Sequence, residues 1–370
     1  MTSAVSDVLN VPSAEGRRWD CLALGEVMLR FDPGEERIRS TRHFRVWEGG
    51  GEYNVARGLR KTFGRATGVL TALPRNELGL LAEEMIMQSG VDTSRIVWRD
   101  HDGVGRNTRM GLNFTERGFG VRAALGLSDR ANSAAAQIQP EEFDWDALFA
   151  ENGTRWLHTG GVFAALSETT ARTAEVAAIA ARRHGVIVSY DLNYRASLWN
   201  SHPDPDAARK ANQAIVAQCD LLVGDEFSFA SCLGLETGVR ARTTPMDSEP
   251  ADAACAHAFE RYPNLRMIAF PLRDPFSASR NAWSGVLHTR QSRFEASKPV
   301  ELEILDRVGG GDAFVSGLIH GLLGNCSLQQ ALDFAVAHGA LAMTTPGDNA
   351  MVSQAEVEAL ARGEGAAARR

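Results

Sequence analysis

The sequence predicts an α/β protein with a mostly parallel central sheet and helices on both faces. Short apolar runs typical of buried strands alternate with amphipathic helical segments along most of the chain, which is the pattern of parallel sheets. The 370 residues, 44% of them hydrophobic, are enough for one large core. Polar and glycine-rich segments directly follow several predicted strands, and ligands of such sheets bind at the carboxyl ends of the strands.

The first part of the chain contains predicted strands and helices in alternation. A strand with alternating apolar residues spans 20–31 and is interrupted by Gly25 and Glu26. Residues 37–47 have the polar–apolar alternation of a more exposed strand or hairpin. Three glycines at 49–51 then precede a helix that ends near Phe63, and a predicted helix at 76–89 is followed by a strand at 96–98.

Residues 106–128 break this alternation. Met110, Leu112 and Phe114 alternate with small or polar residues, which indicates half-exposed strands in a hairpin. Such strands cover little core, so we predict a small β-sheet lid over the active site, with strands at approximately 35–48 and 106–130.

The remaining chain returns to strands and helices in turn. The predicted strands are 155–158, 186–190, 220–224 and 267–272, an extended pair lies at 282–287 and 292–297, and the predicted helices are 168–184, 205–218, 328–343 and 353–361.

The two ends of the chain and its overall composition bear on the domain bounds, the cellular location and the classes of partner. Residues 1–18 and 363–370 are rich in small and charged residues and are predicted to be disordered tails around one domain at 19–362. The first 18 residues lack the apolar core of a signal peptide, and the five cysteines are scattered as reduced thiols usually are, so we expect a cytoplasmic protein. The net charge of −7 argues against nucleic-acid binding, and no apolar run approaches membrane-spanning length.

The segment 306–314 is the main candidate for the catalytic site. Leu302, Ile304 and Leu305 form the end of a predicted strand, and apolar residues recur at helical spacing after Asp312. Gly309, Gly310 and Gly311 therefore lie between a strand and a helix N-terminus, where backbone N–H groups and the helix dipole favour an anion such as phosphate. A carboxylate beside that anion suits a base that takes a proton from the hydroxyl attacking the phosphate.

An ordinary helix N-cap after a flexible turn has the same composition, and this alternative stays open on the motif alone. The segment is not a Walker A loop, because no Gly-Lys-Ser/Thr follows, and it lacks the spacing of a dinucleotide fingerprint.

The segment 306–314 resembles the C-terminal signature of the ribokinase-like (phosphofructokinase-B type) carbohydrate kinases, and 49–56 resembles their N-terminal signature. This resemblance implies a ribokinase-like three-layer α/β/α fold with a lid, and an enzyme that phosphorylates a sugar hydroxyl with ATP and Mg²⁺.

The segment 191–199 is the part of the sequence that says most about the identity of the substrate. It directly follows the predicted strand at 186–190, so Arg195 emerges at the carboxyl edge of the sheet with a planar guanidinium suited to a carboxylate or phosphate. A surface arginine paired with a neighbour is the alternative. The segment is similar to the D-x-N-x-R-x-x-L-W stretch of 2-keto-3-deoxygluconate kinases, in which this arginine binds the sugar acid.

The resemblance implies a role for each matched residue. Asp312 is the expected general base, and Gly309, Gly310 and Gly311 form the expected anion hole. A homodimer through the lid sheet is also expected from the family. The expected substrate-binding residues are Gly50, Gly51, Asn54, Asn113 and Arg195, the expected nucleotide-binding residues are Asp225, Arg273, Thr345, Gly347 and Asn349, and Glu226 is a candidate for organising Mg²⁺.

The chain departs from the family pattern at several positions. Asn113 and Ser128 stand where relatives carry aromatic residues near the sugar, Asp225 and Ser228 replace the ends of an N-x-x-E motif, and Pro271 replaces a threonine near the phosphates. Two alternatives therefore remain: a fructokinase- or ribokinase-like kinase for a neutral sugar, and a sugar or nucleotide sensor with little or no catalysis.

Overall fold

A mostly parallel central sheet organises the computed structural model, which describes residues 4–150, 153–200, 202–235 and 249–364. The strand order is β13-β12-β11-β10-β9-β8-β1-β4-β5, with β14 paired to β12. Neighbours from β11 through β5 are parallel, whereas β12 pairs antiparallel with β11, β13 and β14. The strands are β1 (Cys21–Leu24), β2 (Met28–Asp32), β3 (Arg45–Gly49), β4 (Thr67–Pro74), β5 (Ile96–Arg99), β6 (Leu112–Glu116), β7 (Leu125–Asp129), β8 (Trp156–Gly160), β9 (Ile187–Asp191), β10 (Leu221–Val223), β11 (Met267–Ser277), β12 (Arg280–Thr289), β13 (Arg293–Glu295) and β14 (Val300–Glu303).

Helices cover both faces of this sheet, as predicted. Successive residues of the inner strands enter different cores: Leu157 packs in one apolar cluster and Trp156 in the other. No helix of the described residues is long and apolar enough to cross a membrane. The helices are α1 (Gly51–Lys61), α2 (Glu77–Ser89), α3 (Trp145–Phe149), α4 (Gly161–Ala164), α5 (Glu168–Arg183), α6 (Ala196–Trp199), α7 (Ala207–Val216), α8 (Glu226–Ser228), α9 (Glu249–Arg261), α10 (Gly310–Leu323), α11 (Leu328–Ala342) and α12 (Gln354–Ala361).

The helix α10 is apolar on almost every side, because it is enclosed by its neighbours. Phe314, Leu318 and Leu322 are fully buried in one core cluster with residues of α1 and α11. This packing fixes the N-terminus of α10, and with it the glycine-rich segment, relative to the sheet.

The predicted lid is present as a separate sheet with the order β3-β2-β6-β7. The strand β2 pairs antiparallel with β3 and parallel with β6, and β6 pairs antiparallel with β7. All five residues of β7 are exposed, so this edge of the lid covers no core.

The predicted strand at 20–31 is two strands in different sheets. The chain turns at the interruption that Gly25 and Glu26 predicted, so that β1 joins the central sheet and β2 joins the lid. The patterns also fail to predict β4, whose eight residues are all buried next to β1. Its glycine and threonines interrupt the apolar run that would have marked it.

The predicted disordered tail at 1–18 is wrong for residues 4–18. Val5 and Leu9 are 1% and 3% exposed and pack in the core cluster that contains α10. These apolar side chains outweigh the small and polar residues around them. Residues 1–3, and 365–370 of the predicted C-terminal tail, lie outside the described residues.

Candidate active site

A cavity of about 740 Å³ lies between the carboxyl ends of the parallel strands and the lid. This size is within the range of small-molecule sites in proteins. Its wall includes residues from regions that are far apart in sequence. Most of the predicted site residues are among them: Gly50, Gly51, Asn54, Asn113, Arg195, Asp225, Arg273, Gly309, Gly310, Gly311 and Asp312.

The glycine-rich loop has the geometry of an anion site. Gly309 precedes α10 with φ +78°, a left-handed conformation, and a Cβ there would lie 1.8 Å from the carbonyl oxygen of Asp348. The N–H groups of residues 309–312 donate to no other residue of the described chain. They lie at the N-terminus of α10, where unpaired N–H groups and the helix dipole attract an anion.

The carboxylate of Asp312 stands in the first turn of α10, on the wall of the cavity. The side-chain amide of Asn54 in α1 donates to its Oδ2 at 2.7 Å. Burial raises the pKa of Asp312 to about 6, while Asn54 and the nearby Arg195 act to lower it. The group is therefore largely ionised at neutral pH and close to the point at which it exchanges a proton, as a general base requires.

Two glycines at the start of α1 allow neighbouring segments to pack closely around the carboxylate of Asp312. Gly50 has φ +152°, and a Cβ there would lie 1.9 Å from the carbonyl oxygen of Glu26. A Cβ on Gly51 would lie 3.6 Å from Asp312 Oδ1 and 3.5 Å from Asn193 Nδ2. The start of α1, the loop after β9 and the start of α10 therefore meet at one point.

The loop after β9 brings a second carboxylate and an arginine to the cavity. Asn193 adopts φ +31°, which asparagine tolerates better than most residues, and its N–H donates to Asp191 Oδ1 at 3.0 Å. Burial raises the pKa of Asp191 to about 7, and the charge of Asp312 adds to this effect. Arg195 is exposed on the cavity wall beyond this turn.

Two side-chain amide oxygens on the cavity wall lack partners. Asn54 Oδ1 and Asn113 Oδ1 are buried and accept no hydrogen bond from the described residues. Buried acceptors without partners are rare in proteins and indicate a place for ligand or water donors. Hydroxyl groups of a sugar are donors of this kind.

A buried ion cluster joins the lid to the glycine-rich loop at 309–312, which we call the anion loop. Arg30 of β2 is fully buried and donates to Asp306 Oδ2 and to Asp348 Oδ1, both at 2.6 Å. Arg117, which follows β6, donates to Asp32 and lies 3.5 Å from Asp306. We call these five residues the Arg30 cluster. Since Asp306 also accepts the N–H of Val308 at 3.2 Å, the cluster holds the start of the anion loop in place.

With this geometry established, comparisons with known proteins identify the family. A family model described as pfkB family carbohydrate kinase matches residues 20–260 and 284–355 of the chain. The chain belongs to the pfkB family of carbohydrate kinases. The predicted ribokinase-like fold and family resemblance are thereby confirmed.

Individual pfkB relatives cover nearly the whole chain. A 2-dehydro-3-deoxygalactonokinase of Haloferax volcanii is 28% identical over 346 residues, 93% of this chain and 97% of the relative. The crystal structure of a 2-dehydro-3-deoxygluconokinase from Thermotoga maritima has a TM-score of 0.83 at 33% identity and covers 93% of this chain and 99% of its own. A proposed ribokinase II from E. coli, solved with ATP and Mg²⁺, shares the fold with a TM-score of 0.74 at 17% identity, covering 93% and 99%.

Three predicted nucleotide-binding residues of this pfkB kinase, and Glu226, the candidate for organising Mg²⁺, do not line the cavity. Thr345, Gly347, Asn349 and Glu226 are absent from its wall in the described chain. The amide of Asn349 instead donates to the carbonyl of Glu48 at 3.1 Å, and Gly347 packs against the ring of Trp47. These two residues therefore connect the loop between α11 and α12 to the lid strand β3.

Sequence reasoning missed several charged residues on the cavity wall or buried close to it. Arg130 lines the cavity and pairs with the buried Glu26. Glu52, 3% exposed in the first turn of α1, has a pKa that burial raises to about 8. Asp348 also reaches the wall. The sequence offers a signal for two of these residues: Glu52 lies inside the segment 49–56, which resembles the family, and Asp348 lies between the predicted residues Gly347 and Asn349. Nothing local marks Arg130.

Asp225, Arg273 and Pro271, which the sequence places near the nucleotide only by resemblance, also lie on the cavity wall. Asp225 Oδ1 accepts the N–H and the hydroxyl of Ser228, at 2.6 and 2.7 Å, so its carboxylate caps the short helix α8. Among the described residues no group of three acidic, histidine or cysteine side chains could hold a metal ion.

Proposed function

We propose that this pfkB kinase transfers the γ-phosphoryl group of ATP to a hydroxyl of a sugar acid, with 2-keto-3-deoxygluconate and its 6-phosphate as the first candidate pair. The observation that carries the proposal is one cavity that contains a base, Asp312, an anion loop and an arginine, Arg195. Relatives named 2-dehydro-3-deoxygalactonokinase and 2-dehydro-3-deoxygluconokinase support the class of substrate.

The proposed mechanism depends on position and charge more than on covalent chemistry. Asp312 accepts the proton of the attacking hydroxyl, and Asn54 orients its carboxylate through the 2.7 Å hydrogen bond. The N–H groups of residues 309–312 stabilise the charge that develops on the transferred phosphoryl group. Bound with the nucleotide, Mg²⁺ would neutralise charge between the phosphates. Asp225 and Arg273 are the proposed contacts on the nucleotide side.

The sugar is held, in this proposal, by contacts on the lid side of the base. Arg195 binds the carboxylate of the sugar acid, and the unpartnered oxygens of Asn54 and Asn113 accept hydrogen bonds from its hydroxyls. Gly50 and Gly51 let the substrate approach the backbone at the start of α1. A homodimer through the lid also remains a proposal, supported by Leu125 and Leu127 on β7, which are 46% and 56% exposed.

A substrate panel tests the proposed function. We expect ADP release with 2-keto-3-deoxy sugar acids to exceed that with fructose and ribose, because the proposed contact between Arg195 and a carboxylate cannot form with a neutral sugar. Higher turnover on a neutral sugar would replace the sugar acid with that substrate. A panel without turnover, combined with measurable ligand binding, would favour a sensor.

Arg195 is expected to determine affinity for the acid. Arg195→Gln should raise KM for the sugar acid by about 10- to 100-fold, since hydrogen bonds between charged groups contribute about 1.5–3 kcal/mol. Steady-state kinetics at saturating ATP measures this. The matched control is Arg172→Gln, which removes an arginine paired with Glu141 on the surface. An unchanged KM in Arg195→Gln would assign the carboxylate to another group.

The pH dependence of kcat/KM should report the base. Because burial raises the pKa of Asp312 to about 6, kcat/KM should fall as the pH drops below about 6 and the carboxylate becomes protonated. Asn54 lowers this pKa by donating to the charged form, so Asn54→Ala should move the acid limb to higher pH.

The neighbouring carboxyl groups need a control in this measurement. The charge of Asp312 also acts on Asp191 and Glu52, whose pKa values burial raises to about 7 and about 8, respectively. The acid limb should persist in Asp191→Asn. Its disappearance there would assign the titration to Asp191.

A further inference from the structure

Arg307 lies in the segment 306–314 and lines the cavity, but neither the sequence analysis nor the proposed mechanism gives it a role. It immediately precedes the anion loop and lines the main cavity. It also lines a small pocket, together with Thr115, Glu116 and Arg117, where the lid meets the loop. Arg307 is therefore located at the junction of the lid and the phosphate site.

No side chain of the described residues neutralises Arg307. Its guanidinium takes part in no ion pair and no hydrogen bond there. Three carboxylates around the loop at 309–312 are already engaged: Asp306 and Asp348 bind Arg30, and Asp312 accepts from Asn54. The charge of Arg307 thus remains available to a ligand.

Arg307 is also partly buried, and this makes its lack of a partner informative. Desolvation lowers the pKa of its guanidinium, which means that its surroundings disfavour the charge. A partly desolvated arginine without a counter-ion is costly for the free protein. An anionic ligand group in the cavity would remove that cost.

We propose that Arg307 binds the β- and γ-phosphate oxygens of the nucleotide at the entrance to the anion loop. This inference rests on the proposed function, in which ATP is the phosphoryl donor. The loop at 309–312 fixes where the phosphates lie, and only Val308 separates Arg307 from that loop. The phosphate chain carries the densest negative charge of the expected ligands, and arginine binds phosphate with its planar fork of donors.

Titration calorimetry with ATP, ADP and AMP, in the presence of Mg²⁺ and without any sugar, tests this inference. Arg307→Gln should weaken the binding of ATP and ADP by about 10-fold or more, which corresponds to about 1.4 kcal/mol. Its affinity for AMP should stay unchanged. The matched control, Arg280→Gln, removes an exposed arginine of β12 that pairs with Glu301 of β14, and this variant should bind all three nucleotides as the wild-type protein does.

Each other outcome has a defined consequence. Equal affinities of Arg307→Gln and wild-type protein for all three nucleotides, or an equal loss for all three including AMP, would overturn the assignment of Arg307. If thermal melting shows that Arg307→Gln does not fold, Arg307→Lys carries the same test, with a smaller loss expected for ATP and ADP alone. Wild-type protein that binds nucleotide but phosphorylates no sugar acid would overturn the proposed function only. Wild-type protein that binds no nucleotide would overturn both.

Discussion

Replacing Asp312 with asparagine is expected to reduce kcat by about 10²–10⁴-fold, the usual contribution of a general base. The amide has nearly the same shape and can still accept the hydrogen bond from Asn54, which now measures 2.7 Å. It cannot take the proton of the attacking hydroxyl. Steady-state kinetics at saturating ATP and sugar acid measures the loss.

The Asp312→Asn variant should keep its fold and its affinity for ATP, because the anion loop uses backbone N–H groups. The control, Asp146→Asn, changes a surface carboxylate whose side chain is 70% exposed and should leave kcat unchanged. Wild-type kcat in Asp312→Asn would remove this residue from the mechanism. A loss of kcat that accompanies a lower melting temperature would indicate a structural role instead.

Replacing Arg30 with methionine is expected to have the largest effect on stability. It leaves Asp306 and Asp348 buried without their shared cation, and breaking a buried pair in this way typically costs about 3–5 kcal/mol. Urea denaturation measures the free energy of unfolding. Arg39→Met, at an exposed position, should change it by less than about 0.5 kcal/mol.

The pH dependence of this loss of stability identifies its cause. Burial already raises the pKa of Asp348 to about 6 while Arg30 acts to lower it, so without Arg30 the pKa should rise further. A folded state with raised carboxyl pKa values binds protons more tightly than the unfolded chain, and it loses stability as the pH rises. The deficit should therefore be smaller at pH 5 than at pH 8, and smaller in Arg30→Met/Asp348→Asn than in Arg30→Met. A deficit that is the same at both pH values would contradict the electrostatic explanation.

The anion loop could be predicted from the sequence because its parts are contiguous. The end of a strand, three glycines, Asp312 and an apolar helix lie within one short segment, and local rules describe each of them. The same holds for Arg195, which emerges just after a strand whose burial is evident from its composition. In both segments the chemistry follows from the secondary structure that carries it.

The Arg30 cluster could not be predicted, since its members are distant in sequence. Arg30 lies 276 residues from Asp306 and 318 from Asp348, and an arginine in an apolar strand gives no indication of its partners. Arg130 and Glu26 are 104 residues apart and pose the same problem. Their pairing depends on how the lid sits on the central sheet, which is a property of the folded chain.

The division of residues 20–31 between two sheets has a similar explanation. Alternation of apolar residues continues through Leu29 and Phe31, because β2 also has one face against a core. Periodicity reports which side chains are buried, but it cannot say in which sheet. The buried Asp32 and Arg30 are the only local sign that this strand borders a polar site.

Identification of the reaction product tests the central claim most directly. With ATP and a 2-keto-3-deoxy sugar acid, phosphorus NMR and mass spectrometry should detect one phosphorylated sugar acid for each ADP formed, and Asp312→Asn should form both products at least about 100-fold more slowly. ADP formation without a phosphorylated acid, or equal product formation by Asp312→Asn and the wild-type protein, would contradict phosphoryl transfer to the sugar at Asp312.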